Sequence, residues 1–359
     1  MGAGTAQGGA CLLISGNVRK NMEFVVFAGV LLLLFIFMIV QELIQTKNQE
    51  KLFKKYLREN YGKEPPKEYS LERFARLGSY LERHKEEKQL DDITWNDLGM
   101  DEVFRRIDRT YSAAGEEYLY YTLRNISCGR EALEHLEEVV NWLQEQENIK
   151  VRIQLLMKRL GHLGKYSLYD YLDNLDYLGE RSNRKIVLGN LLYLPFLLLL
   201  FVQPAMGTIG IVLCMLWHIM TYFREKKVIE PYIISFAYVL RLIDVCEELE
   251  KQKIPVYRRE LDELREALKS LRELRRGAYW VMAGNQGKIG GNPLDILADY
   301  LRMILHLDIF QFNRMLEKLR KKTGQVENML AITGYLDMAI SVGGFRKSLE
   351  GYCIPKLEE

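Results

Sequence analysis

Apolar residues in this chain follow two patterns. Some stand in long runs without a charge; the rest recur every three to four residues among Leu, Glu, Lys and Arg. Strand-like alternation is missing from the long stretches, and only eight prolines interrupt 359 residues. The expected fold class is therefore all-α.

The uninterrupted runs predict three membrane spans. "FVVFAGVLLLLFIFMIV", 24–40, holds 17 residues without a charge, and Leu43 and Ile44 extend its apolar face. A spanning helix needs about 20 such residues. A signal peptide would have a shorter apolar run followed by small residues for cleavage. "QELIQTKNQEKLFKKYL" offers no such site, so 24–44 reads as an uncleaved anchor. The second run, 186–223, is 38 residues long and charge-free. Gln203-Pro204 and Gly207 interrupt it, which suits a hairpin of two spans; the soluble alternative is a buried core hairpin. His218 suits a proton relay, but a histidine near a helix end is the plainer reading.

Basic residues flank these runs unevenly. Lys47, Lys51, Lys54, Lys55 and Arg58 follow the anchor, whereas only Arg19 and Lys20 precede it. Arg181, Arg184 and Lys185 lie before the hairpin, and Arg224, Lys226 and Lys227 after it. The positive-inside rule then places the N-terminus outside the membrane and 45–185 and 224–359 in the cytosol.

The periodic segments predict helices at 45–61, 70–86, 100–109, 113–124, 129–147, 149–160 and 230–252. Pro65-Pro66 ends the first. Ser167 and Asp170 form a capping-box pattern before "LYDYLDNLDYL". In "YRRELDELREALKSLRELRR", Leu261, Leu264, Leu268 and Leu271 make a coiled-coil-like seam about two heptads long. Acids balance its bases over most of its length; only the "RELRR" end is clearly basic, making Arg272, Arg275 and Arg276 candidate phosphate contacts.

Composition narrows the chemistry. A net charge of +2 gives no global field for nucleic acid. Five cysteines and five histidines are scattered, suggesting neither a metal site nor a disulfide framework. "AGNQGKIGGNP", 283–293, fails as a phosphate loop. Met282 stands where the first Gly belongs, and Ile289 replaces the Ser or Thr that would hold Mg²⁺. No hydrolase motif appears, so no catalytic, cofactor or metal residue is assigned. Glu116 and Glu117 read as acids favoured by a helix start.

"IDRTYSAAGEEYLYYTLR", 107–124, carries Gly115 early in a helix, where Gly costs roughly 1 kcal/mol against Ala. A missing side chain allows close approach by a neighbour. This stretch resembles the start of the core (lever) domain of the MutS family of DNA mismatch-repair ATPases, with matches at Asp108, Thr110, Ser112, Gly115, Leu119, Leu123 and Arg124. "GREALEHLEEVVNWL" resembles the helix that follows. "GYLDMAISVGGFRKSLEGYCIPKL" is similar to the segment that closes that domain, with matches at Leu336, Asp337, Ala339, Ser341, Tyr352 and Pro355. "HLDIFQFN" and the apolar runs look most like membrane-associated bacterial MutS-like proteins.

The apolar runs and the resemblance together give the expected architecture, a membrane-anchored helical bundle with three transmembrane helices. A tail, 1–23, precedes the anchor, 24–44, and a helical linker, 45–90. The lever's two halves, 91–185 and 224–359, flank the hairpin, 186–223. The chain ends about where the family's ATPase domain would begin, and it contains no Walker A or B motif. ATP and Mg²⁺ are expected only with that domain, so the chain itself is expected not to be an enzyme. Membrane lipid, DNA, and a homodimer or an ATPase domain in cis or in trans are the expected partners. The alternative is a non-enzymatic membrane scaffold for a cytosolic protein.

Overall fold

The computed structural model describes residues 35–63, 69, 71–86, 88–126, 129–163, 167–275 and 293–353. Among them there is no strand, only one isolated bridge between Gln89 and Asn125. The chain divides into two units, 1–59 and 60–359.

The first unit is described from residue 35 onward. Helix α1 runs over 35–60, joining the end of the expected anchor, 35–44, to the charged sequence after it. Ile36, Phe37, Leu43 and Ile44 are exposed, and Lys54 pairs with Glu50 one turn back. Residues 24–34 of the expected anchor lie outside the described residues.

The described part of the second unit is built of helices. Its first part comprises α2 (Leu71–Arg83), α3 (Asp92–Asp97), α4 (Met100–Ile107), α5 (Ala113–Arg124), α6 (Arg130–Glu145), α7 (Glu147–Leu160) and α8 (Leu168–Asp173). Ser167 and Asp170 cap α8 reciprocally, as their spacing predicts. Then come α9 (Arg184–Leu191), α10 (Tyr193–Val202), α11 (Pro204–Glu250) and α12 (Arg258–Leu271). The last are α13 (Pro293–Leu305), α14 (Leu307–Arg320) and α15 (Thr323–Ser348). α15 packs across α5, α6, α7 and α12, and its Met329, Leu330, Leu336, Ala339 and Ile340 lie in the core.

Two segments of the hairpin region are long and apolar enough to cross a membrane: Arg184–Val202, mean hydropathy 2.1, and Pro204–Glu230, mean hydropathy 1.6. Only 6% of the most apolar stretch of the first and 28% of that of the second is buried, which argues against the core hairpin of a soluble protein. The arms pack through small residues. A Cβ on Gly207 would lie 2.7 Å from the backbone nitrogen of Leu200, and one on Gly210 would strike the Phe196 ring. Gly207 is thus a contact residue within α11 rather than part of the break. The break itself is narrow: α10 ends at Val202 and Pro204 opens α11 at its first turn, where a proline's missing N–H costs nothing. Pro195 explains the step between α9 and α10, because it cannot donate to the carbonyl four residues earlier.

Two boundaries differ from the sequence expectation. No new element begins at 224 or 230, since α11 runs unbroken for 47 residues. Pro231 removes one helix hydrogen bond, but Ile229, Ile233 and Phe236 are buried on either side of it and hold the helix through. The leucine seam of α12 is no coiled coil. Leu261, Leu264 and Leu271 are buried inside this unit, against α11 and α15. The outer face of α12 is ion-paired as its balanced charges suggest, Arg265 with Asp262 and Glu250, Arg259 with Glu263.

Candidate functional site: the Asp337 junction

The turn between α4 and α5 is short of backbone partners, as helix ends are. Two side chains of α15, four residues apart and so on one face, supply them. Asp337 accepts from the backbone N–H of Tyr111 at 3.0 Å and of Ser112 at 2.8 Å, and from the Ser112 hydroxyl at 2.6 Å. Ser112 caps α5 by accepting from Gly115 N–H at 3.1 Å. The Asp337 carboxylate therefore sits at the positive end of α5, where a negative charge is stabilised. One turn along α15, the Ser341 hydroxyl donates to the Ile107 carbonyl at 2.7 Å and accepts from Arg109 N–H at 2.7 Å. Asp108 closes the turn on itself. It accepts from Thr110 N–H at 2.9 Å and from the Thr110 hydroxyl, and the Tyr69 hydroxyl also donates to it. Asp108, Thr110, Ser112, Asp337 and Ser341 are all at most 1% exposed, so each bond is made away from water, where losing it is costly.

Gly115 answers to this geometry. A Cβ there would lie 2.6 Å from Asp337 Cβ, closer than real atoms come. Its counterpart on α15 is Gly334, where a Cβ would lie 2.6 Å from the Ala114 carbonyl oxygen. One glycine on each helix brings the two backbones together, and the Asp337 carboxylate reaches the α5 N-terminus through that gap.

Other matched positions serve elsewhere. Leu119, Leu336 and Ala339 are core residues. Leu123 packs at the edge of a second, smaller core with Trp95 and Phe104. Arg124 closes that end of α5, donating to the Leu90 carbonyl at 3.1 Å, Asp92 at 2.7 Å and the Tyr120 hydroxyl at 2.7 Å, with its guanidinium 4.4 Å from the Trp95 ring centre. Tyr352 is exposed under the Arg346 guanidinium, away from the junction. Pro355 lies outside the described residues.

Sequence reasoning missed several parts. Gly334 carries the same signal as Gly115, a glycine inside an apolar helix. Glu116 stands in the first turn of α5, as a helix-start acid should, and both Glu116 and Glu117 are also buried. Glu116 pairs with Arg76 of α2 at 2.8 Å, with His162 Nδ1 3.5 Å away. Glu117 accepts from the Ser167 hydroxyl at 2.9 Å, and burial pushes its carboxyl up to about 8. His218 is not a helix-end residue. It is buried in mid-helix, donating from Nδ1 to the Cys214 carbonyl at 2.9 Å, with its ring 5.4 Å from that of His306.

The candidate phosphate contacts are not assembled into a site. Arg272 is exposed in a short turn after α12, beside Glu273, which pairs with Lys318. Arg275 belongs to that turn, and Arg276 lies outside the described residues. Among the described residues no cluster of three or more His, Cys, Asp or Glu could hold a metal.

The junction is built of buried, hydrogen-bonded groups, so its chemistry is structural: it fixes the angle between α4, α5 and α15. Comparison of the chain with protein-family models, with curated proteins and with solved structures found no match.

Proposed function

We propose that this chain is the membrane-anchored, all-helical lever of a MutS-like machine, carrying nucleotide-driven movement rather than generating it. The observation that supports this reading best is the Asp337 junction. The two stretches on which the resemblance rests are 225 residues apart in sequence, and they are each other's hydrogen-bonding partners. The matched residue types are also the ones this contact needs: a small hydroxyl cap, a glycine, and a carboxylate four residues before a serine.

α11 supplies the mechanical path. Its buried positions, Gly207, Gly210, Cys214, His218, Tyr222, Ile229, Ile233 and Phe236, follow one another at helical spacing. A single stripe thus runs from the hairpin into the core, and helices of this kind transmit displacement as rods. ATP and Mg²⁺ belong to an ATPase domain acting in cis or in trans. DNA contact rests on the resemblance, and if Arg272 takes part, binding weakens as salt rises.

The scaffold reading has its own support. Ile93, Leu98 and Ile126 are exposed apolar residues on the helical body, outside the hairpin, and such residues suit a protein partner. Limited proteolysis in native membranes separates the readings. The lever predicts that ATP with Mg²⁺ changes cleavage in the loops around α4, α5 and α15. Identical patterns with and without nucleotide sink the lever and leave the scaffold.

A further inference from the structure

At the foot of the hairpin, where apolar surface gives way to charge, a cleft of about 480 Å³ opens between α9, α11 and α14. That size is in the range of small-ligand clefts, about 300–1,000 Å³. The elements around it are tied together. Asn183 donates to the Phe310 carbonyl at 3.0 Å and accepts from Asn313 at 2.9 Å. The Tyr222 hydroxyl donates to Asp308 at 2.8 Å. Leu178, Ile186, Trp217 and Ile309 give the cleft an apolar wall.

Four charged residues line it: Glu180, Arg181, Lys185 and Glu225. Two of them satisfy each other, because Arg181 pairs with Glu225 and also donates to Asn313 at 3.0 Å. Burial holds His306 below the ordinary imidazole range, so it adds no charge near neutral pH. Lys185 and Glu180 are both exposed and form no ion pair with any described residue. The cleft therefore offers one uncommitted charge of each sign beside an apolar wall. Above it, Leu188, Leu191, Leu194 and Trp217 are exposed along the arms.

We propose that this cleft seats the head group of a zwitterionic glycerophospholipid bearing a primary ammonium. The phosphodiester lies against Lys185 and the ammonium against Glu180, with the acyl chains along the exposed faces of α9 and α10. A purely anionic head group leaves Glu180 unmatched and opposed. A quaternary ammonium has no N–H to donate to it. The proposal rests on the reading of the hairpin as membrane-spanning.

The test uses the full chain expressed in membranes. It is washed with alkaline carbonate, purified in detergent, stripped of lipid, and titrated with phosphatidylethanolamine, phosphatidylcholine or phosphatidylglycerol under native mass spectrometry. One phosphatidylethanolamine should be retained about fivefold more tightly than either competitor, the value of one matched interfacial charge of about 1 kcal/mol. Glu180→Lys should abolish that preference and favour phosphatidylglycerol; Glu180 is exposed, so the variant folds. Release of the chain by carbonate overturns the membrane reading and this proposal with it. Retention in the membrane with equal binding of the three lipids, or a ranking unmoved by E180K, overturns the head-group site alone.

Discussion

Gly115 and Glu117 sit two residues apart on α5 and answer to different forces. At Gly115, alanine improves helix propensity by roughly 1 kcal/mol, but its Cβ would collide with Asp337. Overpacking of a tight site costs about 1–3 kcal/mol, and here it also displaces three hydrogen bonds. Gly115→Ala should therefore lower stability by about 1–3 kcal/mol in denaturant unfolding; an increase would mean that the α5–α15 approach is loose. Glu117 is governed by burial. Its carboxyl titrates near 8 in the fold and near 4.3 unfolded. Between those values the unfolded state holds fewer protons, so stability falls as pH rises. Relative to Glu117→Gln, the native chain should lose about 1.4 kcal/mol per pH unit across that window. Unfolding at pH 5 and pH 8 measures it, and parallel curves would show that Glu117 is ionised throughout.

At the scale of elements, α11 is the decisive piece. Its surface residues Lys227 and Val228 are exposed between the hairpin and the core. Replacing both with glycine should cost roughly 1–2 kcal/mol of helix stability while leaving both packed ends intact. If α11 carries movement, the K227G/V228G chain keeps its helical circular dichroism but loses the nucleotide-dependent change in proteolysis. A retained response would place the path elsewhere, α13 and α14 being the other elements that contact α11 near the hairpin. The same helix shows why local boundaries mislead: Pro231 looks like a start signal, yet buried neighbours on both sides override one missing hydrogen bond.

For the whole molecule the charge flanks set the expected orientation. A cysteine at Gln203, between the two arms, in a background without other cysteines, should react with an impermeant maleimide on intact cells. Reaction only after lysis inverts the orientation and puts both helical segments outside. Either result leaves the Asp337 junction unchanged, because its partners all lie within the second unit.

The sequence by itself determined what depends on local chemistry. Helical period, the Ser167 cap, the Gln203-Pro204 turn and the two charge-free arms were legible, because propensity, capping and hydropathy act within a few residues. Gly115 was legible as a point of close approach. What stands against it was not, since Asp337 is 222 positions away and nothing local links them. Tertiary structure alone decided that Glu116 and Glu117 are buried, that His218 faces His306, that the leucines of α12 line a core, and that Arg272 is exposed beside Glu273. In each case the cause is long-range packing. A side chain's solvation depends on which distant helix covers it, and helical periodicity fixes the face of a residue without fixing the neighbour.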